Sequence, residues 1–220
     1  MQEIVNVRID DRLIHGQVAA VWSQYTKATR IMVVDDQVVH DVVNKEALKM
    51  ACPQQCKLSI LTAEKAAANL CAGKYDGEKV FIVAKNPKTI RSILDHGFVM
   101  DSVNVGNMGG KQNTRMLKKA VSVSEEDIEN FLYLAGHGVK VTARMVPTEE
   151  AADFIKLIEA PDNCSSALHH TCIRKPCSNH FSLLFAIITE AGGHMIVDQP
   201  DRLHVGINNG RAYKFKSQVL

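Results

Sequence analysis

At 220 residues, 46% of them hydrophobic, the chain is long enough to bury one substantial core. Its formal charge of +2, without a long run of lysine or arginine, argues against a nucleic-acid partner. No apolar stretch approaches the roughly 18 residues of a membrane span, and Met1-Gln2-Glu3-Ile4 lacks the basic-then-apolar pattern of a secretion signal, so a cytoplasmic protein is expected.

Apolar and polar residues alternate from Ile4 to Ile9, as in a strand, and Val18, Ala19, Val21 and Trp22 take helical spacing within Gln17 to Tyr25. Thr29 to Val34 reads as a buried strand ending in Asp35-Asp36, and Val38 to Ala51 as a helix. Lys57 to Leu61 is a strand, and Thr62 caps a helix running to Leu70. Lys79 to Ala84 is a nearly continuous apolar strand, after which Asn86-Pro87 opens a helix through Leu94. Ser102 to Val105 and Lys119 to Val123 read as strands. Ser124 caps a helix with acidic residues in its first turn, ended by Gly136 or Gly138. Val139 to Met145 is a strand, and Pro147-Thr148-Glu149-Glu150 leads a last helix to about Ile158. Such alternation predicts an α/β fold: a doubly wound, mostly parallel twisted sheet with helices on both faces. Ligands of these sheets bind at the carboxyl ends of strands.

His15 follows the first strand in that manner. The unpaired amides of the helix that follows favour an anion near Gly16 and Gln17, and Gly16 removes the side chain that would crowd it. Arg8 and Arg12 flank the site with guanidinium forks suited to phosphate oxygens. Asp10 or Asp11 offers a carboxylate to hold the proton on one imidazole nitrogen, leaving the other as nucleophile. Neutral imidazole is abundant at pH 7, since its unperturbed pKa is about 6.5. Gly106, Gly109 and Gly110 match neither a dinucleotide fingerprint nor, with Lys111, a P-loop, and read as a tight turn bordering the phosphate site. Asp35 and Asp36 end a strand where a receiver-like domain would hold Mg²⁺. His40, His96 and His137 read as surface or helix-end residues.

The string Arg8-Ile9-Asp10-Asp11-Arg12-Leu13-Ile14-His15-Gly16-Gln17-Val18 resembles the signature of IIB components of the mannose/fructose/sorbose family of bacterial sugar phosphotransferase systems. Val103-Asn104-Val105-Gly106-Asn107-Met108-Gly109-Gly110, with Lys111 and Ala120-Val121-Ser122-Val123, resembles that family's later strand, loop and strand. The resemblance runs from about Ile4 to about Ile158 and implies a phosphotransferase IIB domain over 1–160. It implies that His15 accepts a phosphoryl group from a IIA partner and passes it to a sugar taken up through membrane IIC and IID components, without metal or cofactor. By this resemblance Arg12 and His15 are the catalytic pair, while Arg8, Asp10, Asp11, Gly16 and Gln17 bind or orient the phosphate. The protein would work in the cytoplasm, peripherally associated with the permease. A homodimer is compatible with the sequence. The residues alone leave open a sugar- or nucleotide-binding module, or a regulatory one, built on the same architecture.

Cys52, Cys56 and Cys71 read as small thiols of a reduced protein. From Pro161 onward the family pattern stops, and 161–220 reads as an atypical tail, either poorly ordered or translated from a shifted reading frame. It carries Cys164, Cys172, Cys177, His169, His170 and His180, whose spacing fits no common zinc site, and turn signals at Gly192-Gly193 and Asn208-Asn209-Gly210.

Overall fold

The computed structural model describes residues 2–110 and 112–160, and the backbone of two short strands at 204–208 and 211–215. The chain divides into two units, 1–164 and 165–220. In the first, β1 (Glu3–Asp10) is followed by a π-helical stretch, Gln17–Trp22, that tightens into α1 (Ser23–Tyr25). Then come β2 (Arg30–Val34), a 3₁₀ turn at Val38–His40, α2 (Val42–Ala51), β3 (Lys57–Leu61), α3 (Ala63–Cys71), β4 (Lys79–Ala84), α4 (Pro87–Asp95) and β5 (Ser102–Asn107). The hairpin β6 (Arg115–Lys118) and β7 (Val121–Val123) precedes α5 (Glu125–Gly136), β8 (Lys140–Ala143), β9 (Ala152–Asp153) and α6 (Phe154–Glu159).

Seven strands form one sheet in the order β3-β2-β4-β1-β5-β8-β9. All pairings are parallel except β8 with β9. The alternation of strand residues separates two cores. On one face Val7, Ile9, Met32, Val34, Ile82 and Ala84 pack with α3, α4 and α5 through residues such as Leu70, Ile90 and Phe131. On the other, Ile31, Val33, Phe81 and Val83 pack with Val18, Trp22 and Leu48. Each fully buried Ile, Phe or Val contributes about 1.5–3 kcal/mol. At β1 this second face turns polar: Arg8 and Asp10 have no accessible surface, and Arg8 stands between Val83 of β4 and Asn104 of β5.

The expected caps at Thr62, Asn86 and Ser124 accept the amides of Lys65, Thr89 and Asp127. Three expectations need correction. The helix predicted over Val38 to Ala51 is broken at Asp41, whose extended backbone and side-chain bond to the Asn44 amide start α2 anew. The strand predicted from Lys119 begins only at Val121; it pairs antiparallel with β6, outside the main sheet, and bonds to it through Met108. No helix starts at Pro147: the Glu149 carboxylate turns back to accept the Met145 amide at 2.6 Å, closing a turn. The chain then adds β9 as an antiparallel edge, and Asp153 caps α6.

In the second unit, His204–Asn208 pairs antiparallel with Arg211–Phe215, strands that sequence periodicity did not suggest. The expected turn residues Asn209 and Gly210 lie between them. The cysteine and histidine cluster of the tail lies outside the described residues. Among the described residues no helix is long and apolar enough to cross a membrane.

Candidate active site

The site is built from the last residues of β1 and the loop after them. Because β1 alternates, Val7 and Ile9 face one core while Arg8 and Asp10 face the other. Arg8 donates to Asp10 Oδ2 from Nη2 at 2.9 Å and from Nε at 3.2 Å. Its Nη1 reaches the Arg144 carbonyl at 3.2 Å, and its guanidinium lies 5.0 Å from the Trp22 ring centroid. Burial lowers the Arg8 pKa, and the Asp10 charge opposes that shift. Gly106 makes the room: a Cβ there would stand 1.9 Å from the Arg8 Cζ.

Asp10 gathers the site. Its Oδ1 accepts from the Arg12 amide at 3.3 Å and from Arg12 Nε at 3.2 Å, and its Oδ2 lies 3.1 Å from His15 Nε2. Burial pushes its pKa up, but the His15 hydrogen bond, the Arg8 charge and the Arg12 hydrogen bond outweigh it, so the carboxyl is held below the ordinary Asp range.

The chain reverses from β1 to His15 through Leu13, whose φ of 56° is uncommon for a branched residue. The Leu13 amide donates to the Asp10 carbonyl at 2.9 Å. The Leu13 and Ile14 side chains are buried in the second core and anchor the turn. His15 is thereby returned over Asp10, with 20% of its side chain exposed; that of Arg12 is 46% exposed and reaches Gln17 Oε1 at 3.5 Å. With Nε2 bound to a buried carboxylate, His15 keeps its proton there and leaves the Nδ1 lone pair free. Gly16 presents no side chain, and a Cβ there would meet nothing within 4 Å.

The structure therefore brings His15, Arg12, Asp10 and Gln17 together, with Gly16 beside them. Two residues lie elsewhere than expected. Arg8, expected to meet phosphate oxygens, has no accessible surface and lies beneath Asp10. Asp11 points the other way: its carboxylate accepts from the Gly109 amide at 2.7 Å and from Asn107 Nδ2, fastening the glycine loop to the site. Of the two carboxylates, Asp10 is the one that contacts both Arg12 and His15.

Several contributors have no role assigned from the sequence. Asn104 Nδ2 donates to the Arg144 carbonyl at 3.2 Å, and its Oδ1 accepts the Arg144 amide at 3.1 Å, fixing the carbonyl that Arg8 uses. Trp22 Nε1 donates to the Met145 carbonyl at 2.9 Å. The polar positions Asn104 and Asn107, in an otherwise apolar strand, were the available signal. Asp35 accepts the amides of Gln37 and Val38, and Asp36 the amide of Ala63, so both carboxylates serve as caps. Burial pushes the Cys52 and Cys56 thiols up, as expected of inert sulfurs.

The model of the PTS system sorbose subfamily IIB component matches residues 4–167. The chain is 38% identical over 156 residues to the sorbose-specific EIIB component of Lacticaseibacillus casei, covering 71% of this chain and 95% of that protein. It is 37% identical over 155 residues to the mannose-specific EIIAB component of Escherichia coli K12, covering 70% of this chain and 48% of that longer protein. Among solved structures, the IIBSor domain of the Klebsiella pneumoniae sorbose permease superposes with a TM-score of 0.68 at 35% identity, covering 71% of this chain and 96% of that one.

Proposed function

Because the chain belongs to the PTS sorbose-subfamily IIB components, which serve phosphoryl transfer to sugars, we propose that His15 Nδ1 is the phosphoryl carrier of this protein. The donor is the phosphohistidine of a IIA partner, a role in keeping with the joined EIIAB name of the E. coli relative. The acceptor is a hydroxyl of a sugar delivered by membrane IIC and IID proteins, at the cytoplasmic face.

The single observation carrying this reading is the 3.1 Å contact from His15 Nε2 to Asp10 Oδ2. In the first step the Nδ1 lone pair forms a bond to phosphorus as the bond to the donor nitrogen breaks. The ring, still protonated at Nε2, then carries a positive charge, and the ionised Asp10 stabilises it. In the second step the Nδ1–phosphorus bond breaks as a sugar oxygen takes the group, its proton leaving to water. Both transfers pass through a loose, metaphosphate-like transition state, so the protein's part is alignment and charge. Arg12, partly exposed beside His15, neutralises the phosphoryl oxygens, and the amides of Gly16 and Gln17 cradle them. Arg8 positions Asp10 from below, and Asp11 holds the glycine loop at the site's edge.

The test is incubation of the protein with phosphoenolpyruvate, the general phosphotransferase proteins and a IIA domain, read by intact mass. One added phosphoryl group, acid-labile and absent from His15→Ala, is expected. An unmodified wild-type chain would instead favour a binding or regulatory module.

A further inference from the structure

A second polar site lies on the same sheet face, toward the amino ends of β1 and β5. It is a cavity of about 250 Å³ lined by residues that include Asn6, Trp22, Tyr25, Asp101, Ser102 and Arg144. Two donors among these residues, Asn6 Nδ2 and Arg144 Nε, are buried and have no hydrogen-bond partner. A buried donor left unmade costs about 1–3 kcal/mol, and both belong to residues that line this cavity, where a side-chain rotation would bring each to an acceptor held there. The Arg144 guanidinium lies 5.1 Å from the Trp22 ring centroid and, among the described residues, donates only to the Pro147 carbonyl, at 3.4 Å. It forms no ion pair among the described residues, and neither does Asp101. A cation, Arg144, and an exposed carboxylate, Asp101, thus border one cavity without pairing with each other.

We propose that this cavity binds a small polar metabolite, with a carboxylate or phosphate oxyanion on Arg144 and Asn6 and hydroxyl or amino donors toward Asp101 and Ser102. The volume suits a molecule of a few carbon atoms and far exceeds the space of one water. The site is separate from the His15 site yet joined to it: Arg8 stacks on Trp22 and holds the Arg144 carbonyl at one end, and grips Asp10 at the other. The inference stands whether or not His15 carries phosphate.

Trp22 is the chain's one tryptophan, so its fluorescence and its indole N–H resonance report on the cavity directly. The full-length protein is titrated with inorganic phosphate, glycerate and glycerol phosphate, the last two separating a carboxylate from a phosphate requirement. A saturable Trp22 response is expected from at least one organic anion, retained in Arg12→Ala, which removes the cation beside His15. Its midpoint should rise at least about tenfold in Arg144→Gln and in Asn6→Leu, the loss expected for one charge-assisted hydrogen bond. Should either variant fail to fold, Asn6→Ser removes the amide with less disturbance. A response lost in Arg12→Ala but kept in the Asn6 variants would assign the binding to the His15 site and overturn the proposal. So would the absence of any response by fluorescence and indole shift in the wild-type protein, which would mean a water-filled cavity.

Discussion

At the carboxyl end of the sheet, Asp10 has no accessible surface and is contacted by Arg8, Arg12 and His15; at the amino end Glu78, with 18% of its side chain exposed, receives Arg30 and Lys57. Both carboxylates sit among cations, and both are held below their ordinary range, Glu78 to about 2 by the hydrogen bonds from Arg30 and Lys57. Water separates the two cases. The Glu78 cluster opens to solvent on the side of Lys57, whose side chain is 69% exposed, and so pays less desolvation than a fully buried pair. The Arg8–Asp10 pair is dry, and an apolar replacement of such a pair is often as stable or more so. Stability therefore does not account for a buried arginine and aspartate at the end of β1, whereas holding a histidine over an ionised carboxylate does.

The comparison breaks first at Asp10. Asp10→Ala leaves Arg8 buried without its carboxylate and should cost about 3–5 kcal/mol in denaturant unfolding; a loss as small as that at Glu78 would erase the distinction between the two ends. Arg12→Ala should leave stability within about 0.5 kcal/mol of wild type, since the side chain is half in solvent. Its phosphoryl transfer from phosphorylated IIA, followed by rapid quench, should slow on the order of 10²–10³-fold, as when a group aimed at developing charge is lost. An unchanged rate would reduce Arg12 to surface charge. Gly106→Ala should cost about 1–3 kcal/mol in the same unfolding experiment, because the new methyl occupies the space of the Arg8 guanidinium.

A smaller effect than at Asp10 belongs to Glu78. Glu78→Gln should cost about 1–2 kcal/mol at neutral pH, since the Arg30 pair is largely buried while Lys57 is screened by solvent. The folded-state pKa of Glu78 lies below the ordinary carboxyl value, so the unfolded chain binds the proton first as pH falls. Its contribution is therefore present above about 4.5 and lost as pH falls from there through about 2. Thermal unfolding of wild type and Glu78→Gln should converge over that window; a constant difference would show that Glu78 acts by packing.

The parts of this site readable beforehand are those with local causes. The alternation Val7-Arg8-Ile9-Asp10 announces a strand with one charged face, and Thr62, Asn86 and Ser124 announce helix starts because each bonds an amide three residues on. The choice between Asp10 and Asp11 was not readable, since it depends on where β1 stops and on Asn107 and Gly109, which draw Asp11 away. Arg8 looked like a phosphate ligand because its pocket is made by Gly106, Trp22 and the Arg144 carbonyl, which are remote in the chain. The false helix at Pro147 has the same origin: the Glu149 carboxylate that suggests a helical first turn is bound to Lys118 and the Met145 amide.

The most direct test of the account is the nitrogen that carries the phosphoryl group, read from ¹⁵N-histidine spectra of the phosphorylated protein. With Nε2 held by Asp10, the account predicts a phosphoryl group on Nδ1 of His15 and a protonated Nε2. Phosphorylation at Nε2, or at another histidine, would contradict it.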